Sequence, residues 1–175
     1  MGLILPVNGI IPKIGIDCFI APNSTITGDV QLGDRCSVWF NTVIRGDVHS
    51  IEIGADCNIQ DGAIIHCSYQ KAATKIGSGV SIGHQAMIHG CTIEDHVLIG
   101  MGSILLDNCV IGSGSIVGAG SLVLENTILE PCFLYAGSPV RKIKPVTEAQ
   151  KETIQQTAKR YPQYASWYNL PYFKM

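Results

Sequence analysis

The sequence predicts an all-β protein, a parallel β-helix followed by one α-helix, and three observations support this fold. First, aliphatic residues recur every six positions through most of the 175-residue chain. A period of six fits neither an α-helix nor an alternating strand, but it suits a β-helix in which each hexapeptide forms one short strand and one corner. Second, 19 glycines and only 15% charged residues suit short strands joined by tight corners. Third, helix signals occur near the C-terminus.

The repeat divides the chain into two parts. Residues 1–137 hold a short lead-in and the repeat, which predicts about seven coils of three strands each. The interior positions are Ile14, Ile20, Ile26, Leu32, Val38, Ile44, Ile53, Ile59, Ile65, Ile76, Ile82, Ile88, Ile93, Ile99, Leu105, Ile111, Val117, Val123 and Leu129. Residues 138–175 hold a helix and an aromatic-rich tail, both expected to pack on the coil wall. Thr147 and Gln150 form a capping box that starts the helix, and Pro162 is expected to end it.

The composition limits which partners and which cellular location we expect for the protein. The net charge of −2 gives no reason to expect nucleic acid or an anionic membrane surface as a partner. No apolar run approaches the length of a membrane span, and the N-terminus is a poor secretion signal, so we expect a cytoplasmic protein. Seven cysteines without a C-x-x-C pair argue against a disulfide scaffold or a thiolate zinc site. Cysteine at recurring small positions is expected to fill the narrow coil.

Three breaks in the repeat lie near chemically capable residues. Three extra residues separate Ile44 from Ile53, five extra residues separate Ile65 from Ile76, and one residue is missing between Ile88 and Ile93. If the insertions are outward loops, Ile44, Ile65 and Ile88 fall on one face of the coil. The residue after each of them should then point outward from that face, and these residues are Arg45, His66 and His89.

This register predicts a metal site shared between subunits. His66 and His89 should be neighbours on adjacent coils, where two imidazoles can bind one divalent cation. His84 belongs to a different face and can reach that cation only from another subunit of a closed ring. Three histidines and an open fourth position are typical of catalytic zinc, which lowers the pKa of bound water to about 7 and so supplies a hydroxide nucleophile. An isolated outward histidine is more often a surface residue, and His49 and His96 are interpreted in that way.

The combined motifs resemble the γ-class carbonic anhydrases and their bacterial relatives over nearly the whole chain. They are I-R-G-D at 44–47, N-I-Q-D-G at 58–62, His66, G-H-x-x-x-x-H at 83–89, H-G-C-T-I at 89–93, G-M-G-S at 100–103 and Y-x-G-S-P at 135–139. The resemblance implies a left-handed β-helix and a homotrimer that binds zinc, or iron or cobalt, between subunits. His66 and His89 would come from one chain and His84 from the next.

The resemblance also implies roles for other residues. Gln60 would position the metal-bound hydroxide that converts carbon dioxide reversibly to bicarbonate, and Tyr135 would lie near the site. Arg45, Asp47 and Asp61 would hold the subunit contact and the surroundings of the metal. From the residues alone, Arg45 and Asp47 are a charge pair at a subunit contact, and Asp61 before a glycine is equally a turn residue.

The chain departs from the best-known active members in its proton-shuttle carboxylates. Val48 follows Asp47, and the insertion CSYQKAATK contains no acidic residue, so proton removal could limit turnover. His49 is a possible substitute shuttle. Two other functions therefore stay open. One is a non-catalytic scaffold in which the metal clamps the trimer, and the other is a hexapeptide-repeat acyltransferase that uses one histidine as a base.

Overall fold

A computed structural model of the chain describes residues 2–168. It contains twenty strands and one helix over this range. The strands in the first half are β1 (Leu3–Leu5), β2 (Lys13–Ile14), β3 (Phe19–Ile20), β4 (Thr25–Leu32), β5 (Ser37–Val38), β6 (Val43–Ile53), β7 (Asn58–Ile59), β8 (Ile64–His66), β9 (Thr74–Ile76) and β10 (Ser81–Ile82). The remaining elements are β11 (Met87–His89), β12 (Thr92–Ile93), β13 (Leu98–Ile99), β14 (Ile104–Leu105), β15 (Val110–Ile111), β16 (Ile116–Val117), β17 (Leu122–Val123), β18 (Ile128–Leu129), β19 (Phe133–Gly137), β20 (Val140–Pro145) and α1 (Glu148–Ser166).

The strands stack into a three-faced parallel solenoid of about seven turns, as the six-residue period predicts. Face A consists of β1, the first halves of β4 and β6, and then β8, β11, β14 and β17. Face B consists of β2, the second halves of β4 and β6, and then β9, β12, β15 and β18. Face C contains β3, β5, β7, β10, β13, β16 and β19, and β20 adds to it as an antiparallel edge strand.

The predicted interior positions form the core. On face A, Ile44 pairs with Ile65, Ile65 with Ile88, and Ile88 with Leu105, so four side chains stack in one column. All four are 0% exposed. Each coil alone buries too little apolar surface to fold, and stacking at about 4.8 Å per coil makes the core continuous.

The first insertion differs from the outward loop that the sequence predicts. Residues 43–53 form the continuous strand β6, which turns the corner from face A to face B and pairs with β4 across both faces. Gly28 and Gly46 make this turn possible, because a Cβ at either position would meet the backbone of the other coil at under 3 Å. The extra residues therefore widen one corner of the solenoid without interrupting the sheet.

The helix α1 begins as predicted but ends later. The capping box between Thr147 and Gln150 is present, whereas Pro162 lies inside the helix, which continues to Ser166. An internal proline removes one backbone hydrogen bond and costs about 3 kcal/mol or more. Packing on face C offsets this cost, since the Tyr161 ring lies 5.4 Å from that of Trp39 and Ala165 is buried. The prediction that Pro162 ends the helix was wrong because tertiary contacts outweigh the local signal.

Two further expectations concern the C-terminal part. Strand β20 pairs with β19, so the sheet extends beyond the boundary expected at residue 137. The predicted packing of the tail concerns residues that lie mostly outside the described range. Among residues 2–168, no helix is long and apolar enough to cross a lipid bilayer.

Candidate metal centre

His66 and His89 lie side by side on face A, one at the end of β8 and the other at the end of β11. Their backbones are in direct register, and the His66 Nδ1 atom is 3.2 Å from the His89 Nε2 atom. Both side chains point outward and are largely but not fully covered, with exposed fractions of 16% and 30%. The neighbouring positions predicted from the repeat are therefore confirmed.

On each ring, the nitrogen that points away from the other histidine contacts a carboxylate. His66 Nε2 lies 3.0 Å from Asp47 Oδ1, and His89 Nδ1 lies 2.7 Å from Asp107 Oδ1. An ionised carboxylate only accepts hydrogen bonds, so each of these nitrogens carries the proton when the ring is neutral. The two nitrogens that face each other are then both unprotonated. Their lone pairs meet at 3.2 Å, an arrangement that needs a proton or a cation between them.

The electrostatics keep the carboxylates charged and His66 neutral. Desolvation raises the pKa of Asp47, but hydrogen bonds from Arg45 and His66 outweigh it, and the net pKa lies below its ordinary value. Desolvation likewise opposes ionisation of Asp107, while hydrogen bonds from Ser68 and His89 bring its net pKa below the ordinary value. Burial is the main reason that the pKa of His66 is lowered, since a buried imidazolium is poorly solvated.

The spacing of the two facing nitrogens fits a tetrahedral cation. Ligand nitrogens at 2.0–2.1 Å from zinc are about 3.3 Å apart along one edge of a tetrahedron, and the observed separation is 3.2 Å. Imidazoles whose other nitrogen contacts a carboxylate are also common ligands of zinc. Within residues 2–168, no three histidine, cysteine or acidic side chains gather around one point. One chain thus offers two ligands, and a complete site needs a third from elsewhere.

His84 occupies the opposite edge of face A. It lies at the corner between faces C and A, where its Nδ1 atom is 2.9 Å from Asp61 Oδ2 and its side chain is 43% exposed. Strand β11 runs from this corner to the corner where His89 lies. Four residues lie between the two histidines, and the path along the chain over these five steps is up to about 17 Å. The structure therefore does not bring His84 to the pair within one chain.

Gln60 and Tyr135 also lie away from the histidine pair. Gln60 follows β7 on face C, is 8% exposed, and donates from Nε2 to Asn58 Oδ1 at 2.9 Å. Tyr135 is in the core cluster of the last coil, where its hydroxyl accepts from the Glu130 amide at 2.9 Å. Gln60 lies one residue before Asp61, near His84, whereas Tyr135 is three coils above Ile82 on face C. The expectation that Tyr135 lies near the metal site stays a prediction.

Comparisons with known proteins agree with this architecture. The model described as "Bacterial transferase hexapeptide (six repeats)" matches residues 11–46 and 90–125, and "Hexapeptide repeat of succinyl-transferase" matches residues 73–106. Protein YrdA of Escherichia coli is 45% identical over 93% of this chain and 92% of its own length. A "Carbonic anhydrase" of Geobacillus kaustophilus is 43% identical over 95% and 91%. A "Probable carbonic anhydrase" of Methanocaldococcus jannaschii is 54% identical over 81% and 89%.

The chain belongs to the γ-carbonic anhydrase-like family of hexapeptide-repeat proteins. Solved structures of similar proteins carry transferase names. A Bacillus cereus protein described as a candidate acetyltransferase is 40% identical with a TM-score of 0.92, over 95% of this chain and 96% of that one. A hexapeptide transferase family protein from Anaplasma phagocytophilum is 38% identical with a TM-score of 0.89, over 95% and 98%.

In this γ-carbonic anhydrase-like chain, all three breaks in the repeat lie at one corner, between faces A and B. The widened part of β6 and the insertion at residues 67–73 flank the ends of β8 and β11. His49 lies at the same corner, and its Nδ1 atom accepts a hydrogen bond from the Ser50 amide. His96 lies at the corner between faces B and C, with a φ of +57°. The breaks in the repeat therefore mark the corner that carries the histidine pair.

Sequence reasoning missed Asp107. It lies eighteen residues after His89, which is one full coil, and two residues after the interior position Leu105. The register could have placed it at the A–B corner above His89. It resembled an ordinary corner residue, because Asp–Asn pairs are common in turns.

Proposed function

We propose that this protein is a metal-dependent carbonic anhydrase that converts carbon dioxide reversibly to bicarbonate at sites between the subunits of a homotrimer. The observation that carries the proposal is the pair of facing ring nitrogens of His66 and His89, 3.2 Å apart, with a carboxylate against the other nitrogen of each ring. Because burial lowers the pKa of His66, a metal cation is favoured over a proton between these nitrogens. The carbonic anhydrase names of similar proteins support the choice of reaction.

Three imidazoles would hold the cation, with zinc as the expected metal and iron or cobalt as alternatives. They are His66 through Nδ1, His89 through Nε2, and His84 of the adjacent subunit. A cation bound by these residues would supply the Lewis acidity that activates water for attack on carbon dioxide. Asp47 and Asp107 keep the ring protons on the far nitrogens, so that both lone pairs stay available to the cation.

An apolar stripe on face A supports the proposed subunit contact. The outward residues before the interior positions are aliphatic or Met on five successive coils, and three of them are 39–40% exposed. The stripe consists of Val43, Ile64, Met87, Ile104 and Leu122. Contiguous exposed apolar surface marks interaction sites. Because the histidine pair lies at one edge of this face and His84 at the other, a head-to-tail ring of copies would complete every site.

Metal analysis and stopped-flow hydration of carbon dioxide test the proposal together. We expect about one metal ion per chain, hydration that disappears after chelation, and loss of both in His89→Ala. His96→Ala is the matched control, because His96 lies at another corner, and it should retain metal and activity. Full metal occupancy without hydration would reject catalysis and favour a metal-clamped scaffold.

Proton removal is expected to limit the rate. Residues 67–75 contain no carboxylate that could accept the proton from water. We therefore expect turnover to rise with buffer concentration, since a buffer base must accept the proton from water. A rate that does not depend on buffer would point to an internal shuttle, and His49→Ala would then test the histidine at the same corner.

Acyl transfer is the second candidate function, and a groove favours it. An open groove of about 450 Å³ runs along face C beside His84, with Leu98, Met101 and Ile116 in its walls. His84 is hydrogen-bonded to Asp61, as a histidine that acts as a base would be. Consumption of an acyl-thioester by chelated protein, abolished in His84→Ala but unaffected in His89→Ala, would support this function over hydration.

A further inference from the structure

We propose that Asp107 is the positioning residue for His89, and that the insertion at residues 67–73 serves to hold Asp107 in place. This inference rests on the proposed function, because it concerns how His89 is prepared to bind the cation. The juxtaposition that carries it is the contact between Asp107 Oδ1 and His89 Nδ1 at 2.7 Å.

Asp107 is buried, and both of its carboxylate oxygens have polar partners. Its side chain is 7% exposed, and its other oxygen, Oδ2, accepts a hydrogen bond from Ser68 Oγ at 2.5 Å. The Lys71 ammonium lies 3.5 Å from the same oxygen. Ser68 and Lys71 both come from the insertion. A buried carboxylate needs such donors, and they leave Oδ1 as the atom that faces the imidazole.

The first residue after the insertion, Thr74 at the start of β9, is bonded to the ends of both histidine-bearing strands. The buried Thr74 hydroxyl donates to the His66 carbonyl at 2.6 Å and accepts from the Gly90 amide at 3.0 Å. Insertion, strand ends and Asp107 therefore form one connected hydrogen-bond network. A loop that only connected two strands would not need these bonds to the residues beside the ligands.

Gly90 shows how closely Asp107 is packed. Its φ is +56°, and a Cβ at this position would collide with Asp107 Oδ1 and lie 2.8 Å from the Ala72 Cβ. Only glycine leaves space for the carboxylate beside His89 and for the insertion above it. The arrangement is thus enforced from three sides, by a glycine, by the insertion and by the imidazole.

The chemical consequence concerns the tautomer of His89. A carboxylate that accepts from Nδ1–H fixes the proton on Nδ1 and leaves the Nε2 lone pair directed at His66. In Asp107→Asn, the side chain has one acceptor oxygen, whereas His89, Ser68 and Lys71 all donate to the carboxylate in the unsubstituted protein. The variant amide can satisfy Ser68 and Lys71 by turning its NH₂ toward Nδ1, which forces the proton to Nε2 and blocks the metal-facing lone pair.

The test compares Asp107→Asn with Asp95→Asn in the full chain. Asp95 is also a corner aspartate, but it is exposed, accepts from the Ser78 backbone amide and lies away from the histidine pair. In metal-free protein, ¹⁵N resonances of the imidazoles report the tautomer, with His89→Gln identifying the His89 signals. We expect the Nδ1–H form in the unsubstituted protein and in Asp95→Asn, and the Nε2–H form in Asp107→Asn.

Zinc affinity, measured by competition with a chromophoric chelator, is the second readout. Asp107→Asn should weaken zinc binding about 10- to 100-fold, and Asp95→Asn should not change it. Ser68→Ala keeps the carboxylate but removes one of its donors, so it should weaken zinc binding about fivefold. This variant tests the same contact if Asp107→Asn does not fold. An unchanged tautomer with unchanged zinc affinity in both variants would overturn the inference. An unsubstituted protein that binds no zinc would instead reject the proposed function, and the tautomer would still decide the role of Asp107.

Discussion

The proposed sharing of the site between subunits predicts a specific result when two variants that each lack one proposed ligand are mixed. His84→Ala removes the ligand at one edge of face A, and His66→Ala removes a ligand at the other edge. Each homo-oligomer lacks one ligand at every interface. If the two chains are unfolded together and refolded as mixed rings, some interfaces take an intact pair from a His84→Ala chain and an intact His84 from a His66→Ala chain.

The expected yield follows from the arrangement. At equal concentrations and random mixing, the chain that supplies the histidine pair is a His84→Ala chain at half of the interfaces. The chain that supplies His84 is independently a His66→Ala chain at half of them. About a quarter of the interfaces in a closed ring should therefore be complete. Metal content and stopped-flow hydration should both recover to about a quarter of the unsubstituted level.

The control mixes two variants whose substitutions both lie at the edge of face A that carries the histidine pair. His66 and His89 are adjacent on one chain, so a mixture of His66→Ala and His89→Ala can never assemble an intact pair at any interface. That mixture should stay at background while forming mixed oligomers equally well. Equal recovery in both mixtures, or none in either despite verified mixing, would refute a site built from two edges of neighbouring subunits.

Three further predictions concern stability. Because burial lowers the pKa of His66, the unfolded chain takes up that proton first, so the metal-free protein should lose stability as pH falls from about 6.5 toward the lower folded-state pKa. A second loss is expected below pH 3.8 as Asp47 is protonated. Denaturant unfolding of His66→Gln at a series of pH values should lack the first step and show a smaller second step, because Arg45 but no longer an imidazole then lowers the pKa of Asp47. Ile88→Ala should lower the free energy of unfolding by about 2–5 kcal/mol in urea titrations, whereas the exposed Ile128→Ala should change it by no more than about 0.5 kcal/mol. Thr147→Ala should cost about 1 kcal/mol through loss of the capping box, while replacement by serine should cost little, as thermal melts followed by circular dichroism can show.

Most of the fold could be predicted because the repeat is local and regular. The interior positions follow directly from the six-residue period, and the period also gives the register, so the adjacency of His66 and His89 could be predicted without coordinates. The capping box at Thr147 is equally local, since its two residues contact each other within one helical turn. The end of the helix at Ser166 was not predictable in this way, because it depends on the packing of Tyr161 and Ala165 against face C.

The sequence by itself determined the coil, its register and the adjacency of His66 and His89 on face A, because a fixed period relates position in the chain to position in the coil. The place of His84 at the corner between faces C and A came from the structure. Only the tertiary structure decided which ring nitrogens face each other and which carboxylates lie behind them. Asp107 reaches His89 across a full coil, and Ser68 and Lys71 reach Asp107 from an insertion that has no period. These contacts depend on the path of irregular backbone at one corner, where no repeating pattern fixes the positions of the side chains.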